Sequence, residues 1–299
     1  MSLSKLSISS LAAGVLLSTS VAMAAPTAIT LNPQATNGGA GAVSSTTSAY
    51  QVDNILGTLG SVLSIGGFGT TAPAAWSEVG QLVFTNGLLN SNPVLTGFNK
   101  VYGTGTYDIF GNFSGAGFGA WGTGFAAKTF LVGSIASFDI DLYAQVGGLN
   151  AANISSGGIT LNANSIKLGK ASFQSFAGIT SASLLSGSTS GSASTNLVAD
   201  FSFIPEAGFA NTSSYTDGFF AAPIPFSLTI NTSGSSNSGQ SNYSRVGSNV
   251  TITTGATKVG TTNLTFATQA VPEPGALSLA AIALLGAAYA SKRKKVASV

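Results

Sequence analysis

Apolar and polar residues alternate with a period of two through much of the middle of this chain. From Ser137 to Val146, Phe138, Ile140, Leu142 and Ala144 fall on one side, and Asp139, Asp141, Tyr143 and Gln145 on the other. The same alternation runs through Leu197 to Phe203, Ile224 to Ile230, Val250 to Thr253 and Leu264 to Phe266. Successive side chains leave opposite sides of a pleated strand, so this period predicts short strands with one buried face. Clusters of Gly, Ser, Asn and Thr, as in Ser181 to Asn196 and Asn231 to Asn249, have the composition of turns and loops. Helix is expected for a turn or two at most, around Val52 to Leu63. The pattern predicts an all-β domain over 49–266, an antiparallel β-sandwich or jelly-roll-like fold, preceded by a flexible arm at 25–48.

The two ends break this pattern. Lys5, the apolar run Leu11 to Val21 and the small-x-small triplet Ala22-Met23-Ala24 before Ala25 have the three parts of a signal peptide over 1–24. After a linker at 267–274, the segment 275–291 is almost wholly apolar. Its apolar stretch, Gly275 to Ala290, is about 16 residues, or roughly 24 Å as a helix, against the roughly 20 residues of a relaxed spanning helix. It has no polar face, so a single C-terminal transmembrane helix is expected. Lys292, Arg293, Lys294 and Lys295 open the basic tail 292–299 and would stay cytoplasmic. With the leader cleaved, residues 25–270 would lie outside the cytoplasmic membrane.

The linker ends in Val271-Pro272-Glu273-Pro274. The two prolines hold an extended, non-helical stretch of the kind a peptidase can bind. This motif, then an apolar helix, then a basic cluster at the C-terminus, resembles the PEP-CTERM sorting signal of Gram-negative bacteria. The resemblance covers the last 29 residues or so. It implies a membrane-embedded exosortase as processing partner, a transient stay in the inner membrane, and release to the cell surface or extracellular matrix.

Composition narrows the chemistry. Only 7% of residues are charged, against about 25% in ordinary soluble proteins. Residues 25–270 carry eight acids and six bases, a net charge of −2, so the positive total of the whole chain comes from its ends. Nothing there forms the clustered basic face that nucleic acid requires. The chain has no cysteine and no histidine, which excludes disulfides, thiolate nucleophiles, histidine-based triads and ordinary zinc, copper or haem sites.

Candidate sites follow. Asp139 and Asp141 lie two apart on a predicted strand, so their carboxylates share a face at about 7 Å. That spacing suits a solvated strand face, an inverting glycosidase pair, or two of the roughly six oxygens that Ca²⁺ needs; no other cofactor is expected. Between Tyr102 and Phe125, seven aromatic residues interleave with eight glycines. Such rings either pack inside a tightly bent sheet or stack on sugar faces. Tyr107 and Trp121, with polar tips, are the candidate sugar contacts. Gly117 to Gly122 matches G-x-G-x-x-G in letters, but lacks the strand-then-helix context of a dinucleotide site.

The order of three stretches, Tyr107 to Phe113, Ser137 to Tyr143 and Asp217 to Phe226, ahead of the Pro-Glu-Pro is similar to that of flocculation-associated PEP-CTERM proteins. That resemblance implies a non-enzymatic matrix protein associating with exopolysaccharide in biofilm or floc formation. Two alternatives stay open: a carbohydrate-active enzyme using Asp139 and Asp141, and a self-assembling surface protein.

Overall fold

The computed structural model describes residues 28–35, 41–70, 72–99, 101, 105–122, 127–185, 191–206, 218–221, 226–236, 241–254 and 261–268. All belong to one compact unit, Ala25–Thr268. In chain order the strands are β1 (Ile29–Leu31), β2 (Tyr50–Val52), β3 (Asn54–Ile65), β4 (Ala74–Leu89), β5 (Asn92–Val94), β6 (Tyr107–Trp121), β7 (Ala127–Val146), β8 (Ile154–Ser155), β9 (Gly158–Ile159), β10 (Ser165–Leu185), β11 (Gly191–Pro205), β12 (Phe220–Ala221), β13 (Phe226–Ser236), β14 (Ser241–Val246), β15 (Asn249–Thr254) and β16 (Thr261–Thr268). Among the described residues the one helical element is the short 3-10 turn Ala151–Asn153. The all-β, antiparallel expectation is met.

The architecture is finer than that expectation. Hydrogen-bonded neighbours run β3–β4–β6–β7–β10–β11–β13–β16 and return to β3, every pair antiparallel. Eight strands therefore close into one up-and-down ring, where a sandwich would present two separate sheets with free edges. Alternation cannot distinguish the two, because each demands only one buried face per strand. Bulges on β4, β7 and β10, where the register slips by a residue, bend these long strands around the closure.

Two appendages extend the ring. The β14–β15 hairpin pairs along Val62 to Ile65 of β3, beyond the part that pairs with β16. The β4–β5 hairpin turns through Asn90 and Ser91, both at positive φ (50° and 65°), which is the backbone of a type I′ turn.

Inside the ring lies the core. Tyr107, Ile109, Phe113 and Trp121 on β6 meet Phe130, Phe138, Ile140 and Leu142 on β7, with Leu82 and Phe84 from β4 and Phe201 and Phe203 from β11. The outer face carries Ser77, Ser114, Asp139, Asp141, Lys167 and Lys170. Membrane-spanning barrels show the opposite arrangement, apolar outside and polar within.

Three local expectations change. Val52 to Leu63 is strand, not helix. Much of the expected loop composition is ladder: β10 runs to Leu185, β11 starts at Gly191, and Asn231 to Ser236 and Ser241 to Val246 are paired. Uncharged Ser, Thr and Gly make serviceable strands once both neighbours supply hydrogen bonds. Finally, the expected loose arm is held in part: β1 pairs with β2 and β12, and Val43 is fully buried.

Among the described residues no helix is long and apolar enough to cross a membrane. The signal peptide with Ala22, Ala24 and Ala25, the motif Val271 to Pro274, the segment 275–291 and the cations Lys292 to Lys295 lie outside the described residues.

Candidate functional surface

Strand β6 organises both faces of the wall. Its odd residues point inward and its even residues outward, as the burial alternation from Gly111 to Trp121 shows. The outward residues Asp108, Phe110 and Asn112 are covered by the segment from Leu149 to Ile159. Phe110 is fully buried with Val83, Leu149 and Ile159, and stacks on Tyr143 with ring centroids 5.3 Å apart. Asn112 grips the cover with both ends of its amide: Nδ2 donates to Ile159 O at 2.9 Å and Oδ1 accepts from Ile159 N at 2.8 Å. Leu149 N donates to the buried Asp108 carboxylate. With its amide nitrogen facing the cover, Gln81 on β4 donates to Ser155 O at 2.9 Å.

Further along the same outer face the cover ends. Ser114, Phe118 and Ala120 are exposed, with Ala116 half-buried between them. Cross-strand partners extend the patch: Val79 opposite Ser114, Ser77 opposite Ala116, and Ala75 and Ser134 flanking Phe118. Phe118 is 54% exposed and Val79 43%. Charge meets this stretch only at its Ser114 end, where Asp139 stands opposite on β7. The stretch offers one aromatic face amid small side chains and the hydroxyls of Ser77, Ser114 and Ser134.

Tyr107 and Trp121, the expected sugar contacts, are corrected by the structure. Both face inward and are buried. The Tyr107 hydroxyl donates to Thr96 O at 2.8 Å and lies 2.7 Å from the Tyr50 hydroxyl. Burial raises both phenols above the ordinary tyrosine value, so both stay neutral. Trp121 donates from Nε1 to Gly66 O at 2.8 Å and packs edge-on against Phe68. Their polar tips are satisfied inside the protein, not at a wet interface.

Asp139 and Asp141 do share the outer face of β7, and each has a cation on β10. Lys170 Nζ lies 2.9 Å from Asp139, and Lys167 Nζ 3.0 Å from Asp141, with Glu206 at 3.9 Å from the same lysine. Burial opposes ionisation of Asp139, but hydrogen bonds from Lys170 and Ser172 and the Lys170 charge outweigh it and lower its pKa. The hydrogen bond to Asp141 raises Lys167, against a smaller opposing effect of burial. Held ionised by Lys170, Asp139 is not the protonated partner that general acid catalysis needs. Among the described residues no three acidic side chains gather as a metal site would require.

Two residues of consequence escaped the sequence reading. Phe118 lies an odd number of positions from Phe113 and Trp121, so once those two are taken as core, parity places it outside. Glu78 falls in register with the inward Trp76, Gly80 and Leu82, and the same parity puts a carboxyl inside the barrel. Compared with family models, with curated proteins and with solved structures, the chain matches none.

Proposed function

We propose that this chain is an exported, exosortase-sorted protein of the cell surface or extracellular matrix, which associates with exopolysaccharide without transforming it. The sorting half of this reading rests on the tail: Val271-Pro272-Glu273-Pro274, an apolar segment and four cations at the C-terminus. The signal peptide would bring 25–270 across the inner membrane, Lys292 to Lys295 would hold the tail, and the exosortase would act at the extended proline motif.

The binding half rests on one observation, the exposed Phe118 ring among small and hydroxyl side chains of the outer face. Sugar rings present flat C–H faces bordered by hydroxyls. An exposed aromatic ring among serine hydroxyls offers stacking and hydrogen bonding without the desolvation of a charge. One such patch binds weakly, and many copies along one polymer convert weak contacts into retention. The lysine-held Asp139 and Asp141 support a structural role for that pair.

Two experiments separate the halves. Changing Pro272, Glu273 and Pro274 to alanine should leave an unprocessed chain in the inner membrane; an unchanged mature size and location would overturn the sorting reading. Co-sedimentation of the mature protein with the producing cells' exopolysaccharide should succeed with or without Ca²⁺. Hydrolysis of that polymer, or polymerisation of the protein in sugar-free buffer without polymer binding, would replace the association reading with the enzymatic or the self-assembling one.

A further inference from the structure

In an antiparallel up-and-down ring, successive connections alternate between the two ends. The entry to β3, the connections β4–β6, β7–β10 and β11–β13, and the exit of β16 at Thr268 lie at one end. The connections β3–β4, β6–β7, β10–β11 and β13–β16 lie at the other. Both termini of the domain therefore leave the ring from the same end. That end carries the small sheet β1–β2–β12, whose Ile29, Leu31, Val52 and Phe220 are buried in the core.

Exposed apolar side chains favour the same end. Among the described residues, Leu95, Leu161 and Ile204 stand there, 96%, 44% and 64% exposed. Leu95 lies in the β4–β6 connection, Leu161 in the β7–β10 connection, and Ile204 one residue before the end of β11. Val246, at the turn of the β14–β15 hairpin, is their counterpart at the opposite end. Three apolar tips spread around a rim do not line one groove; they suit a broad apolar layer. The described acids nearest this rim are engaged: Asp53 accepts from Asn90 N at 2.7 Å, Asp108 is buried, and Glu206 lies 3.9 Å from Lys167.

Chain length identifies that layer. Six residues separate Thr268 from the apolar segment that starts at Gly275, and they span at most roughly 20 Å. Headgroups take up about 5–8 Å of that on one side of a bilayer, so the rim stays within roughly 15 Å of the lipid surface. At the other terminus four residues separate Ala24 from Ile29. So short a tether holds the rim against the bilayer at high effective concentration, where contacts too weak to bind a free molecule are occupied.

We infer that, while the tail is in place, the barrel stands end-on on the outer leaflet of the inner membrane, with Leu95, Leu161 and Ile204 in its headgroup layer. This rests on the membrane-held tail proposed above. Phe118 lies eleven residues beyond Tyr107 on β6, roughly 36 Å of strand. The uncovered face is thereby carried toward the far end, where polymer reaches it before processing.

The chain has no cysteine, so a single introduced one reports alone. The full chain carrying Leu95→Cys, Leu161→Cys, Ile204→Cys or Val246→Cys is labelled with bimane and reconstituted in phosphatidylethanolamine–phosphatidylglycerol vesicles, with and without a lipid bearing a nitroxide on its headgroup. All four side chains are exposed, so none of these changes disturbs the core. The nitroxide lipid should quench the three rim labels several-fold more than the label at Val246. Flotation of carbonate-washed vesicles separates the two claims. A chain that floats with its four labels quenched alike, or not at all, overturns the end-on docking alone. A chain that does not float overturns the membrane-held tail and the docking together.

Discussion

Phe110 and Phe118 sit on one strand, on one face, eight residues apart, and have opposite fates. Phe110 is sealed beneath the segment Leu149 to Ile159, stacked on Tyr143 and flanked by hydrogen bonds that Asp108 and Asn112 accept from Leu149 N and Ile159 N. Phe118 stands more than half exposed, with Ala75 and Ser134 as its cross-strand neighbours. The difference lies in their neighbours two residues away. Around Phe110 the strand offers Asp108 and Asn112, side chains able to satisfy the backbone of an overlying loop. Around Phe118 it offers Ala116 and Ala120, which satisfy nothing. A second layer is built where polar side chains can hold its backbone, and the sheet stays bare where they cannot. An aromatic ring left on bare sheet is then available for contact outside the molecule.

This contrast can be broken most severely at Phe110. Phe110→Ala should cost about 3–5 kcal/mol, as expected for a fully buried ring, whereas Phe118→Ala should change stability by no more than about 0.5 kcal/mol. Denaturant titration of the two variants checks both. Comparable losses would mean that the second ring is buried as well. A subtler break leaves the ring and removes its cover's anchor. Asn112→Ala loses both bonds to Ile159 and should cost about 1–3 kcal/mol, with faster hydrogen exchange confined to Leu149 to Ile159.

The inner face sharpens the comparison through pH. Glu78 has a raised pKa in the folded state, so the folded protein holds this proton more tightly than the unfolded chain. The contribution of Glu78 to stability should therefore be full below the unfolded glutamate value of about 4.3, and decline as pH rises from there toward the folded value. Glu78→Gln should remove that part of the decline in thermal unfolding followed against pH. An identical profile would show that Glu78 titrates normally.

The smallest effect is expected at the ion pairs on the outer face. The Asp139–Lys170 side chains are 40% and 46% exposed, so solvent screening holds the pair to about 0–1 kcal/mol. Asp139 is lowered, so its contribution is present above the ordinary aspartate value and lost as pH falls through the folded one. Lys170→Met should cost no more than this and leave polysaccharide retention unchanged. A large loss of retention would move the contact surface from Phe118 to the charged rows.

Much of this was legible in the sequence. Period two identified β7 and placed Phe138, Ile140, Leu142 and Ala144 in the core, where they lie. It also put Asp139 and Asp141 on one face. Closure of the ring was not legible, because β3 pairing with both β4 and β16 is a fact about distant partners. Strand length was underestimated where Ser, Thr and Gly carry the ladder, since their hydroxyls and missing side chains read as turn. Tyr107 and Trp121 were assigned to the surface by residue type, while parity along β6 assigns them inward with Phe113 and leaves Phe118 outside. The lysines that pair diagonally with Asp139 and Asp141 come from a strand some thirty residues away, and no local spacing announces them.

The most direct test is co-sedimentation of the mature protein with the producing cells' exopolysaccharide, comparing wild type with Phe118→Ala and Ser134→Asp. Both variants should stay folded and lose retention, the first by losing the ring and the second by adding a charge to the bare face. Retention equal to wild type in both folded variants would contradict the assignment of the uncovered face as the contact surface.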